Sequence, residues 1–164
     1  MRKVEAIIFD WGGVLIEDPR PGLMQYCAKA LGVSAQEYAR VHSKFAADFQ
    51  KGLISEDVFW QRLCGDLGRP RPDVPSLWAD AFKAVYSPKA EIFALVRRLR
   101  QNGYKTALLS NTEKPAVQFF REQGYDMFTT VIFSCLEAAI KPERKIYEIA
   151  VAKVGSKPEQ TVLI

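Results

Sequence analysis

Asp10, Ser110 and Lys141 lie far apart in the chain, yet each stands at or shortly beyond the end of a short apolar run. Asp10 closes VEAIIFD ahead of two glycines, Ser110 opens SNT after KTALL, and Lys141 follows TVIF by several residues, just before Pro142. Proline biases the residue before it toward an extended backbone, so Lys141 is expected to be held out from a loop. Open parallel sheets bind ligands outside the carboxyl ends of their strands, where the loops converge. A carboxylate to attack phosphorus, a hydroxyl and the backbone N–H of Asn111 to hold its oxygens, and an ammonium to offset charge make a phosphate site. Asp followed by Gly is also ordinary turn chemistry, so Asp10 taken alone is equally a turn cap; the set of three points to chemistry.

The elements that must position them follow from periodicity. Val4 to Phe9 is apolar on both faces apart from Glu5, as in a parallel strand buried between helix layers. From about Pro21 to Val85 the pattern predicts four amphipathic helices. The first carries Leu23, Tyr26, Cys27 and Ala30. The second opens on a Ser34/Glu37 capping box and carries Tyr38, His42, Phe45 and Phe49. The third has Trp60, Leu63, Cys64 and Leu67, and after RPRPDVP the fourth has Trp78, Ala81, Phe82 and Val85. Ser87-Pro88 then reads as a helix start with proline in the first turn. From there the rhythm alternates: a helical stripe to Leu99, a strand over 105–109, a helix over 115–123, a strand near 130–133, a helix after Pro142 and a strand from Thr161. Helices alternating with short apolar strands imply a parallel sheet with right-handed crossovers. The expected architecture is α/β: a doubly wound, Rossmann-like core from residues 1–16 and 88–164, with residues 17–87 inserted after strand one as a helical cap.

The ordered motifs FDWGGVL, LLSNT and KPERKIY, with helices inserted after the first, resemble the haloacid dehalogenase (HAD) superfamily across nearly the whole chain. FDWGGVL together with GLISEDVFW is most similar to the branch of sugar-phosphate phosphatases and the phosphatase domains of soluble epoxide hydrolases. The resemblance implies that Asp10 is a nucleophile forming an aspartyl-phosphate, that Ser110, Asn111 and Lys141 bind phosphate, and that Lys141 also assists catalysis. It further implies Mg2+ held by Asp10 and the Gly12 backbone carbonyl, and a small phosphorylated metabolite as substrate. A hard cation is chemically reasonable there, because a carboxylate approaching a phosphoryl dianion is repelled unless the pair is neutralised.

Two departures from the family pattern bear on activity. Its phosphatases usually carry a second aspartate two residues after the nucleophile, as acid and base; here that position is Gly12. Without a substitute the expected loss is about 10²- to 10⁴-fold. Glu17 or Asp18 could reach in, although solvated loop charge is the ordinary state of such residues. The chain also stops at Ile164, where the resemblance places a fourth motif with one or two further magnesium-binding aspartates. Weak magnesium affinity is therefore expected, from a fragment that ends in a buried strand or from a protein that has lost the reaction. The alternatives are a non-catalytic HAD-like binding module and, last, a dehalogenase in which Asp10 attacks carbon.

Composition bounds the rest. With 164 residues, 48% of them hydrophobic, the chain can bury a real core. The net charge of +4 is spread without a Lys/Arg block, so neither nucleic acid nor a membrane surface is an expected partner. Three scattered cysteines suggest neither a disulfide framework nor a zinc site, and fit a reducing cytoplasm. The lone His42 is expected to pack among aromatics, and Cys135 in the core. Glu137 is a possible partner for Lys141 and Glu113 for the cap; Trp60 and Trp78 read as bundle packing, and Trp11 as a wall of the site.

Overall fold

The computed structural model describes residues 4–164. The apolar run after Val4 forms β1 (Ala6–Phe9), buried throughout. It pairs in parallel with β2 (Lys105–Ser110) on one side and β4 (Thr161–Leu163) on the other, and β2 pairs with β3 (Thr130–Phe133), giving the order β3-β2-β1-β4. The chain is thus α/β with a parallel sheet covered by helices. Alternation along β1 sends Ile7 and Phe9 into one core and Ala6 and Ile8 into the other, which is why both sets must be apolar. Phe9 lies opposite Leu108, so Asp10 emerges level with Leu109, one residue before Ser110.

Between β1 and β2 run α1 (Arg20–Leu31), α2 (Ala35–His42), α3 (Ala46–Gln50), α4 (Glu56–Leu67) and α5 (Leu77–Val85), then α6 (Ala90–Gln101). Ser34, Ser55 and Ser76 cap α2, α4 and α5, each accepting a backbone N–H from three residues on, which satisfies an otherwise orphaned donor. Five helices precede α6 where periodicity predicts four. The second breaks after His42, where Lys44 N–H and Phe45 N–H donate to the carbonyls of Val41 and His42 in tight turns. In α1 the buried line is Leu23, Cys27, Ala28 and Leu31, whereas Tyr26 and Ala30 are exposed. The helix is rotated from the expected stripe because it packs against both α2 and α5. Pro88 does not start α6: it makes an antiparallel bridge with Ile16, and the helix begins at Ala90.

After β2 come α7 (Lys114–Glu122), the short α8 (Ser134–Glu137) following β3, and α9 (Arg144–Val154) before a 3-10 turn leads into β4. Among the described residues β4 pairs with β1 alone, and Val162, Leu163 and Ile164 are exposed, where a buried strand is expected. The described cysteines are free and buried. No helix among the described residues is long and apolar enough to cross a membrane.

Candidate active site

The loops after β1, β2 and β3 converge. One oxygen of Asp10, Oδ1, accepts the Trp11 backbone N–H at 2.7 Å, while Oδ2 lies 2.6 Å from Lys141 Nζ. The pair is half-buried, with side-chain exposures of 34% and 18%, so water screens it only in part. Lys141 Nζ also donates to the Leu109 carbonyl at 3.3 Å. Asn111 clamps the lysine's backbone from both sides: Lys141 N–H donates to Asn111 Oδ1 at 2.8 Å, and Asn111 Nδ2 donates to the Lys141 carbonyl at 3.0 Å. This side-chain function of Asn111 is additional to the backbone N–H expected from sequence. A position after a strand end does not reveal which loop an amide will grip.

A cavity of about 460 Å³ opens over this cluster, with Asp10, Gly12, Ser110, Asn111 and Lys141 on its wall. Facing them are Leu23, Met24, Trp78 and Phe82 from the helical insertion, with Trp11 beside the Asp10 carboxylate. Trp11 is buried in an aromatic cluster, its ring centroid 4.9 Å from Phe82 and 5.2 Å from Phe120. The insertion is joined to the sheet's loops by Ser134 Oγ, which accepts from Thr112 N–H at 2.9 Å and donates to the Gln50 carbonyl at 2.6 Å.

Glu113 lines the same cavity although it is only 5% exposed. Trp78 Nε1 donates to its Oε2 at 3.0 Å, an inter-element contact of the kind expected from sequence. Burial pushes its carboxyl up to about 7, only partly offset by hydrogen bonds from Gln50, its own backbone and Trp78. What sequence reasoning missed is that this carboxyl belongs to the cavity wall. The signal available was an acid directly after the Ser-Asn-Thr turn.

The remaining candidates stand apart from the Asp10–Lys141 pair. Asp18 reaches the cavity's rim but is bound in a fork by Arg20, at 3.0 Å and 2.8 Å, which lowers its carboxyl pKa. Glu17 is exposed and 3.6 Å from Lys89. Glu137 pairs with Lys153 rather than Lys141, because α8 turns it toward α9. His42 also lines the cavity, stacked on Trp78 with an interplanar angle of 3°, and is held below the usual histidine range, at about 4, by desolvation. Trp60 donates to Glu56 at 2.9 Å, away from the cavity, whereas Trp78 reaches it.

No group of three or more His, Cys, Asp or Glu side chains is gathered for a metal among the described residues. Magnesium, however, retains waters and is commonly held by one or two carboxylates together with substrate phosphate. The half-exposed Asp10 carboxylate beside the Gly12 backbone, both on the cavity wall, fits that phosphate-assisted mode with a minimal donor set.

The family model of the haloacid dehalogenase-like hydrolases matches residues 4–164. A sesquiterpene phosphatase of Aspergillus oryzae, astK, is 25% identical over 162 residues, covering 98% of this chain and 79% of its own. Among solved structures, a HAD family enzyme from Bacteroides thetaiotaomicron superposes with a TM-score of 0.82 at 20% identity, covering 98% of this chain and 83% of that one. It has also been solved in complex with magnesium and inorganic phosphate. A predicted HAD-like family hydrolase from Porphyromonas gingivalis reaches a TM-score of 0.77 at 27% identity, with coverages of 98% and 80%.

Proposed function

The chain belongs to the haloacid dehalogenase-like hydrolases, and from that premise we propose that it is a phosphatase acting on a small phosphorylated metabolite, sugar phosphates included, through an aspartyl-phosphate on Asp10. The observation that carries this reading is the 2.6 Å approach of Lys141 Nζ to Asp10 Oδ2 on the wall of a cavity that also holds Ser110 and Asn111. The Aspergillus phosphatase supports phosphorus over carbon as the atom attacked.

In this mechanism an Asp10 oxygen forms a bond to phosphorus as the ester oxygen departs with the bonding electrons and takes up a proton from water. Water then attacks the acyl phosphate and releases inorganic phosphate, restoring the carboxylate. Lys141 and the donors at Ser110 and the Asn111 N–H face the oxygens on which charge accumulates, and being held in place they need no reorganisation. Mg2+, held by Asp10 and the Gly12 carbonyl, would screen the repulsion between carboxylate and phosphate dianion. Residues 17–87 serve as a cap over the core of residues 1–16 and 88–164, excluding water from the cavity.

Gly12 favours a second reading, a phosphate-binding module without turnover. It offers no carboxyl, a Cβ there would meet Pro19 Cδ at 3.0 Å, and Asp18 is committed to Arg20. Phosphate release from a panel of phosphomonoesters separates the two. The phosphatase reading expects turnover that Asp10→Asn abolishes; equal activity in that variant removes Asp10 from its role, and binding without turnover supports the module.

A further inference from the structure

Each carboxylate on the cavity wall except one has its cation. Asp10 is paired with Lys141 and Asp18 with Arg20. Glu113 is the most deeply buried of the three, yet among the described residues no Lys, Arg or His pairs with it; the donor to its carboxylate is the neutral indole N–H of Trp78. Buried carboxylates are costly without a countercharge, and the cost falls when one arrives. Trp11, Trp78 and Phe82 line the same cavity, and aromatic rings attract cations once water is displaced. Glu113 is thus a buried acid lacking a cation on the wall of a cavity that Trp11, Trp78 and Phe82 also line, with the ring of His42 stacked on Trp78.

We propose that Glu113 is a specificity-determining residue that selects phosphomonoesters whose alcohol portion carries an ammonium group. The proposal rests on the phosphatase reading: phosphate occupies the Asp10–Lys141 end and the amine points toward Glu113. Burial disfavours the charged form of this carboxyl, and an ammonium group placed beside it would favour that form. A purely structural Glu113 that only anchors Trp78 would do the same work as glutamine, whose amide oxygen also accepts from an indole N–H.

The test uses the full chain and a series of ω-aminoalkyl phosphates, from aminoethyl to aminohexyl, each matched with the alkyl phosphate bearing a methyl in place of the ammonium. The readout is the ratio of kcat/KM for amine over alkyl in the wild type and in Glu113→Gln. The expected result is a wild-type ratio of about tenfold or more at one chain length, the scale of a desolvated charge pair, collapsing toward unity in the variant. A wild-type ratio near unity with both esters hydrolysed, a preference for hydroxyalkyl over aminoalkyl phosphates, or a ratio unchanged in Glu113→Gln would each overturn the inference while leaving the phosphatase reading intact. If no ester is hydrolysed, the phosphatase reading falls. Calorimetric binding of the same pairs then decides the inference: tighter binding of the amine, lost in Glu113→Gln, upholds it, and equal binding overturns it.

Discussion

Replacing Glu113 by glutamine removes the titration of a carboxyl that the fold keeps neutral well above its usual range, while an amide oxygen can still accept from Trp78 Nε1. In the unfolded chain this group releases its proton near 4.5, and in the folded chain near 7. Between those values the folded state holds a proton that the unfolded state has lost, so raising the pH favours unfolding. Stability from the neutral carboxyl is therefore complete below 4.5 and disappears as pH rises through about 7. The separation corresponds to about 3 kcal/mol. His42 acts in the opposite direction: burial holds it near 4 against a usual 6.5, so its contribution is lost as pH falls through that window. Their slopes oppose one another between 4.5 and 6.5, and the wild-type curve is flattened there. The difference between variant and wild type cancels His42 and isolates Glu113. Urea unfolding across a pH series should show the variant gaining about 3 kcal/mol relative to wild type from acid to mildly alkaline pH. A pH-independent difference, or one with the opposite slope, would refute the assignment of a buried neutral acid.

Lys141→Met should lower phosphomonoester turnover by about 10²- to 10³-fold, as expected for loss of a donor aimed at developing charge, with thermal unfolding confirming a folded protein. Gly12→Asp combined with Pro19→Ala, which relieves the 3.0 Å approach to Pro19 Cδ, should raise kcat by about tenfold or more if acid–base assistance limits the wild type; phosphate release under saturating substrate measures it. Gly52→Ala should destabilise the chain by about 2 kcal/mol or more, read from the urea midpoint. Gly52 has a φ of +68°, and an added Cβ would stand 2.2 Å from the Cys135 carbonyl oxygen, a backbone atom with little room to yield.

Much of the sheet was legible because the strands are short apolar runs, with polar turns after β1 and β2, a pattern set by neighbours in sequence. β2 and β3 fall within a residue of where periodicity puts them, and β1 begins two residues later than the expected Val4. The helical insertion was less so. The break between α2 and α3 and the rotated face of α1 depend on which helices each packs against, and an apolar stripe is wide enough to permit more than one solution. Electrostatic partners were the least legible. Asp18, Glu17 and Glu137 carry the charge needed to serve the site, but each is taken up by a nearby cation: Asp18 by Arg20 two residues on, Glu17 and Glu137 by Lys89 and Lys153 from other segments, at distances of a few ångströms that local pattern does not set.

The sequence by itself determined which chemical groups stand at strand ends, because strand length, alternation and the residue types after each run are local properties of the chain. Tertiary structure alone decided that Lys141 meets Asp10 at 2.6 Å, that Asn111 holds the lysine's backbone, and that Glu113 is buried against Trp78 without a cation. The physical reason is that charge and hydrogen bonding act through space over a few ångströms, across segments whose separation along the chain leaves no trace in local pattern.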